Sequence, residues 1–116
     1  MFDFEKLDVY QVTKETNVKV LTFLKGAKDI DTYILDQWKR ASLSALFNLA
    51  EGTGRMTDSD KRHYLTIARG SIFEAVAALD LLRSMNVIPE NVCQEFYAGY
   101  EQISKMLLGM YRSYSK

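Results

Sequence analysis

A single proline, Pro89, interrupts the 116 residues of this chain, and the six glycines lie mostly near the ends of apolar segments. A protein built from many strands needs frequent turns, and turns are rich in glycine and proline. Between the few breaks, apolar residues recur at intervals of three and four, which is the spacing of one face of an α-helix. The sequence therefore predicts an all-α fold.

Four long amphipathic segments are predicted to be helices. Oxygen-bearing caps begin the second and third segments, and glycine follows the first and second. The segments are residues 5–24 before Gly26, a second from a cap at Asp29 or Asp31 to Gly52, a third from Thr57 to Met85, and a fourth whose first turn contains Pro89. Because the connections are short, consecutive helices should run antiparallel. Residues 1–116 are thus predicted to form one domain, an up-down-up-down antiparallel four-helix bundle.

The composition excludes several classes of protein. Fifteen Lys and Arg balance fifteen Asp and Glu, so no global field attracts the chain to nucleic acid or to an anionic membrane. No apolar run approaches the roughly 18 residues of a membrane span, and the N-terminal residues lack the basic and apolar regions of a signal peptide. The lone cysteine, Cys93, excludes an intramolecular disulfide. We therefore expect a cytoplasmic protein with no membrane partner.

Two helices carry more apolar surface than one bundle interior needs. Residues 72–82 of the third helix are apolar nearly all round, and the fourth helix has a second apolar stripe that includes Cys93. One interpretation is a wide core face with scattered exposed apolar residues, as on many monomers. We favour a second buried surface between copies of the chain, because aromatic residues suit subunit interfaces. The candidate interface residues are Phe73, Ala77, Leu81, Tyr97, Leu108 and Tyr111.

A narrow polar stripe follows the second helix between two apolar shoulders. Its members are Tyr33, Gln37, Arg40, Ser44, Asn48 and Glu51. The stripe is either the solvated face of the helix or a buried or interfacial network in which Arg40 pairs with Glu51 or with Glu74 of the third helix. Gly70 on the third helix would let another backbone come close. The candidate network, structural or at an interface, comprises Arg40, Ser44, Asn48, Glu51, Arg69, Ser71 and Glu74.

These polar residues lie in segments that resemble a known bacterial family. The segments are Gln37-x-x-Arg40-Ala41-Ser42-x-Ser44-x-x-x-Asn48-x-Ala50-Glu51-Gly52 and Ala68-Arg69-Gly70-Ser71-x-x-Glu74. Together they are similar to the four-helix-bundle family of the 23S rRNA intervening-sequence proteins. The opening segment also looks like the start of that family; it reads Phe4-Glu5-Lys6-Leu7-Asp8-Val9-Tyr10.

The resemblance implies a ring-like homopentamer of four-helix bundles, and it carries no established catalytic activity. The family is similar to the accessory variability determinant proteins of diversity-generating retroelements. Those proteins use a basic pentamer surface to work with nucleic acid and a reverse transcriptase. They are strongly basic, whereas this chain has no net charge, and the difference argues against the same binding here.

No group of residues predicts catalysis. His63 and Cys93 belong to different helices, and nothing local would orient the imidazole. One histidine without a cysteine pair leaves no typical metal site. The glycine-rich segment that begins at Gly52 follows a helix and lacks the Lys-Ser/Thr of a phosphate-binding loop. We expect no catalytic residue, no metal and no cofactor.

The most basic local stretch contains Arg55, Lys61 and Arg62, which are the candidates for contact with RNA or DNA. Ordinary solvated surface is the other interpretation. Five copies on one rim of a ring would concentrate this charge enough to bind phosphate weakly. The sequence thus predicts a non-enzymatic homo-oligomeric scaffold or adaptor whose partner is itself. The alternative is a nucleic-acid-binding accessory protein of the retroelement type.

Overall fold

The computed structural model describes residues 1–115, and within them the predicted all-α four-helix bundle is confirmed. A short 3-10 turn, Asp3–Lys6, precedes four long helices. These are α1 (Asp8–Lys25), α2 (Thr32–Thr53), α3 (Asp58–Ser84) and α4 (Glu90–Ser113). Residues 1–115 include no strand.

The helix starts follow from the caps in the sequence. Asp31 caps α2, since its Oδ1 accepts from the backbone N–H groups of Tyr33 at 2.9 Å and Ile34 at 3.3 Å. Thr57 caps α3 by accepting from the N–H of Asp60 at 3.1 Å. Pro89 is the N-cap of α4 rather than part of its first turn. The predicted start of the first helix is three residues too early, because residues 3–6 form the 3-10 turn.

Gly52 was expected to end α2, and that prediction is wrong. The helix continues to Thr53, and its C-cap is Gly54 with an ordinary φ of −85°. Gly52 is instead buried against α3, where an added Cβ would lie 3.0 Å from the Cβ of Tyr64. The glycine therefore permits a close approach of two helix backbones.

Each helix packs against two neighbours. The contacts follow the order α1 to α2, α2 to α3, α3 to α4 and α4 back to α1, with no contact across either diagonal at the level of the backbone among residues 1–115. This arrangement is that of an up-and-down bundle, 44 Å along its longest axis. No helix within these residues is long and apolar enough to cross a membrane.

The centre of the bundle contains polar residues as well as apolar ones. Trp38 of α2 and Tyr100 of α4 are both 0% exposed, and the Trp38 indole Nε1–H donates to the Tyr100 hydroxyl at 2.7 Å. Asn17 of α1 donates through Nδ2 to the Ser42 carbonyl at 2.7 Å. Burial raises the pKa of the Tyr100 phenol, although hydrogen bonds with Ser42 and Trp38 oppose that shift. This cluster joins three of the four helices.

The residues whose spacing of three and four predicts the first helix coincide only partly with its buried face; they are Leu7, Tyr10, Lys14, Asn17, Val18, Leu21 and Leu24. Leu24 and Asn17 are buried, but Lys14 and Val18 are exposed. The face that α1 turns toward the core comprises Val9, Thr13, Thr16, Asn17, Val20 and Leu24. Three of these side chains are polar, so counting apolar residues alone misplaces the face.

Candidate functional site

The polar stripe of α2 is partly buried where it meets α3. Ser44 and Asn48 are half-buried, and the hydroxyls of Ser44 and Ser71 lie 2.8 Å apart. Asn48 donates to the Ser44 Oγ at 3.1 Å, and Ser71 donates to the Ile67 carbonyl at 3.0 Å. Because the Ser71 hydroxyl donates its hydrogen to the Ile67 carbonyl, the Ser44 hydroxyl is the donor in the bond between the two serines. The predicted network thus includes a directed chain of hydrogen bonds from α2 to α3.

The charged members of the stripe are arranged differently. Arg40 and Glu74 are exposed, and Glu51 is ion-paired at 3.8 Å with Arg55. Among the described residues, Arg40 forms no ion pair with Glu51 or with Glu74. The predicted pairing is therefore wrong within one chain. Glu51 pairs instead with Arg55, which lies one helical turn away on the same helix end, and Arg40 is exposed to solvent.

Arg69 and Gly70 lie on the outer side of α3. Arg69 Nε donates to the Ser104 carbonyl of α4 at 3.2 Å, and its guanidinium lies 4.9 Å from the centre of the Phe73 ring. Gly70 has nothing within 4 Å of an added Cβ, so no backbone of this chain approaches it. The expected close contact at Gly70 is absent from residues 1–115.

Large apolar side chains lie on the outer faces of α2, α3 and α4. Phe47 is 62% exposed, Phe73 56% and Tyr97 52%. Of the other predicted interface residues, Ala77 and Leu81 are exposed, and Leu108 and Tyr111 are half-buried. Cys93, which was predicted to share this outer stripe, is only 2% exposed and belongs to the core. The exposed aromatic side chains are individually unremarkable for a monomer, but they lie along adjoining helices.

A groove runs between α3 and α4 beside Phe73 and Tyr97. Three adjoining cavities form it, with volumes of about 350, 340 and 490 Å³, and Phe73 borders all three. Arg69 and Glu101 line the middle cavity, whereas Asp80 and Tyr97 border the one nearest the end of α3. Each of the three cavities therefore has charged residues beside a largely apolar lining.

The three basic candidates lie at one end of the bundle, and each contacts an acceptor of the chain itself. Lys61 donates to the Thr53 carbonyl at 3.1 Å, and Arg62 donates to the Tyr114 carbonyl. These carbonyls belong to the C-terminal ends of α2 and α4, where positive charge is favourable to the helix dipole. Arg55 donates to the Tyr64 hydroxyl in addition to its ion pair with Glu51. All three residues thus have a structural role.

The chemically reactive side chains are separated. His63 lies near the start of α3 and Cys93 near the start of α4, which are opposite ends of antiparallel helices, on the order of 30 Å apart at 1.5 Å per residue. Burial raises the pKa of the Cys93 thiol and disfavours the nucleophilic thiolate. Among residues 1–115, no group of three or more His, Cys, Asp or Glu side chains could hold a metal ion. The arrangement therefore offers no Cys-His pair.

Sequence reasoning missed the buried polar cluster of α1, α2 and α4. The sequence did contain an indication of this cluster, because Thr13, Thr16 and Asn17 share a helical face with Val9 and Val20. The α2 ridge of Leu43 and Phe47 was also missed as a candidate surface. Both residues are exposed, and they border a shallow depression with Arg40.

The fold and these surfaces define an antiparallel four-helix-bundle protein with apolar residues on its outer faces. Residues 5–109 match the family described as 23S rRNA-intervening sequence protein, and the chain belongs to that family. No curated protein matches the sequence.

A solved structure supports the same architecture. It is a protein of unknown function from the S23 ribosomal protein family of Bacteroides thetaiotaomicron VPI-5482. The two chains are 20% identical, and the match covers 89% of this chain and 97% of the other with a TM-score of 0.84. At this identity, the likeness concerns the fold alone.

Proposed function

We propose that this protein is a non-enzymatic homo-oligomeric scaffold or adaptor, and that it assembles as a ring of five copies. The observation that carries the proposal is the set of large apolar side chains on the outside of α2, α3 and α4, headed by Phe47, Phe73 and Tyr97. The resemblance to the intervening-sequence family supports the number five. The cytoplasm is the compartment that best suits a chain whose one cysteine, Cys93, is free.

Removing these apolar side chains from water would stabilise an assembly. Full burial of one large apolar side chain stabilises by about 1.5–3 kcal/mol. Phe47, Phe73 and Tyr97 each keep more than half of their surface exposed in the single chain, so most of that gain is still available to association. Aromatic side chains are also enriched among residues that dominate binding energy. A second copy is the simplest partner, since it is present whenever the protein is.

Size-exclusion chromatography with light scattering tests the proposal. We expect a mass of five times 13.3 kDa for the natural sequence. Phe73→Ser should shift the mass toward that of one chain, whereas Val18→Ser, at an equally exposed site on α1, should leave the assembly intact. A natural protein that stays monomeric at tens of micromolar would refute self-assembly. Copurification from the native host would then identify a partner of the scaffold.

A second candidate function is favoured by the clustering of Arg55, Lys61 and Arg62 beside two tyrosines. Lys61 lies 5.8 Å from the centre of the Tyr114 ring, and Arg55 lies 4.5 Å from that of Tyr64. Basic groups next to aromatic rings suit single-stranded nucleic acid, and this would make the protein an accessory factor similar to those of retroelements. We rank it second, because these cations already bind acceptors of the chain and the net charge is zero.

A filter-binding assay at low salt separates the two candidates. If the second is correct, RNA or DNA is retained, and retention falls as salt rises. Replacing Lys61 and Arg62 by glutamine should abolish retention, while the same change at Lys14 and Lys25 of α1 should not. Thermal unfolding of each variant controls for loss of the helix-end contacts. Absence of salt-sensitive retention would remove nucleic-acid binding from consideration.

A further inference from the structure

The outer faces of α2 and α3 carry matching patterns in opposite order. Along α2 the exposed face presents a cation, two apolar side chains and an acid, at successive separations of three, four and four residues. These residues are Arg40, Leu43, Phe47 and Glu51. Read from the C-terminal end of α3, the same separations give an acid, two apolar side chains and a cation. These residues are Asp80, Ala77, Phe73 and Arg69.

The equal separations have a geometric consequence. Separations of three and four keep side chains on one face of a helix, and eleven residues span about 16 Å. Two such faces laid against each other in opposite directions bring every residue of one pattern opposite its counterpart. Each charge then meets the opposite charge, and each apolar residue meets an apolar residue. Within one chain the faces cannot meet in this way, because both look outward.

Two of the four charges have no partner of their own. Neither Arg40 nor Asp80 forms an ion pair among residues 1–115. The cation closest in sequence to Asp80 is Arg83, and Arg83 is held by Glu90 at 2.6 Å. A cation on α2 and an acid on α3 are therefore both exposed and free to pair with another molecule.

The apolar part of the pattern fits the groove between α3 and α4. Phe47 is the most exposed large side chain in the middle of α2. Its counterpart Phe73 and the neighbouring Tyr97 both line the two cavities of about 340 and 490 Å³. Each cavity is large enough to admit an aromatic side chain, and its lining includes the apolar Val76. The ridge of one molecule thus has a recess of suitable size on another.

We propose that α2 of one copy lies antiparallel to α3 of a second copy, over the groove between α3 and α4. Arg40 then faces Asp80, Phe47 enters the groove beside Phe73, and Glu51 faces Arg69. The occupant of the groove is a second copy, because the charges and their spacing on α2 match those on α3. This inference rests on the proposed self-assembly and specifies which surfaces make it.

Cysteine cross-linking between two differently labelled variants tests the contact. Leu43→Cys and Ala77→Cys are made in separate preparations, each with Cys93→Ala, and are mixed under oxidising conditions. We expect a disulfide-linked pair that contains one chain of each kind, seen on a non-reducing gel. Val18→Cys mixed with Ala77→Cys is the control and should give no pair. Cross-linked pairs of Leu43→Cys alone, or none containing both variants, would overturn the inference.

Charge reversal gives a second measurement. Arg40→Asp and Asp80→Arg should each weaken self-association by at least about tenfold, because each places like charges face to face. The chain that carries both changes should recover the natural affinity, whereas Glu15→Arg on α1 should have no effect. Failure of the double variant to recover would count against the pairing.

The two proposals fail in different ways. A natural protein that is monomeric by light scattering overturns both. A natural protein that assembles, yet shows neither the Leu43→Cys to Ala77→Cys cross-link nor the recovery by charge exchange, overturns only the assignment of the surfaces.

Discussion

Replacing Tyr100 by phenylalanine removes one oxygen atom from the centre of the bundle. The phenol ring keeps its place, so the change in volume is small and the cavity contribution is minor. The Trp38 indole N–H, which donates to that oxygen at 2.7 Å, loses its acceptor in a position with 0% exposure. The substitution thus isolates the effect of one buried hydrogen bond.

The expected loss of stability follows from the donor that is left unpaired. A buried donor without an acceptor costs about 1–3 kcal/mol, and no water reaches the indole to replace the hydroxyl. For a domain of this size, 1 kcal/mol shifts the unfolding temperature by roughly 4 °C. We therefore expect Tyr100→Phe to lower Tm by about 4–12 °C.

Thermal and urea unfolding followed by circular dichroism measure this effect. The protein concentration must be held constant, because assembly would add to the apparent stability. Tyr33→Phe is the matched control, since Tyr33 is 72% exposed and should contribute less than about 0.5 kcal/mol. Equal stability of Tyr100→Phe and the natural protein would refute the importance of the Trp38 hydrogen bond.

The same residue also predicts how stability responds to alkaline pH. Burial raises the pKa of Tyr100 in the folded chain. Above about pH 10, where an ordinary tyrosine ionises, the unfolded chain releases this proton while the folded chain keeps it. The contribution of Tyr100 to the free energy of unfolding should therefore be fully present below pH 10 and should fall as pH rises toward the folded pKa. In Tyr100→Phe, the fall should be shallower by up to about 1.4 kcal/mol per pH unit.

Two substitutions and one labelling experiment test the packing further. Gly52→Ala should destabilise by about 1 kcal/mol, because its Cβ would lie 3.0 Å from the Tyr64 Cβ; denaturant unfolding that shows a gain would contradict the close approach. Gly70→Ala should stabilise the single chain by up to about 1 kcal/mol, since no atom of the chain lies within 4 Å of the added Cβ; a loss of stability in denaturant unfolding would contradict this open space. Cys93 should react with a thiol reagent on the order of a hundredfold more slowly in the native protein than in urea. Equal rates would show that the thiol is accessible.

The helices could be predicted because their signals are local. Asp31 and Thr57 begin α2 and α3 through bonds to their own following residues, and that chemistry is visible in the sequence. The role of Gly52 could not be predicted in this way. Its constraint comes from Tyr64 on the next helix, and a glycine that permits close packing looks the same in sequence as one that ends a helix.

The candidate surfaces were predictable only in part. The excess of apolar residues on α3 and α4 indicated an outer apolar face, and Phe73 and Tyr97 are indeed exposed. Cys93 was misplaced because one residue of helical rotation separates the outer stripe from the core. Arg40 was assigned the wrong partner because Glu51 and Arg55 lie one turn apart and pair locally. The burial of a residue at the edge of a stripe and the partner of a charge depend on which neighbouring side chains lie nearer, and the spacing of residues in the sequence does not specify this.

The hydrogen bond from Trp38 to Tyr100 joins positions 62 residues apart on helices that do not pack side by side. An indole requires an acceptor, and a phenol is one of the few aromatic groups that provides it without changing the volume of the core. Neither position can therefore drift alone over evolutionary time. Among relatives of this bundle, we expect the two positions to covary. Where the residue at position 38 is not tryptophan, the residue at position 100 should often be phenylalanine or leucine in place of tyrosine.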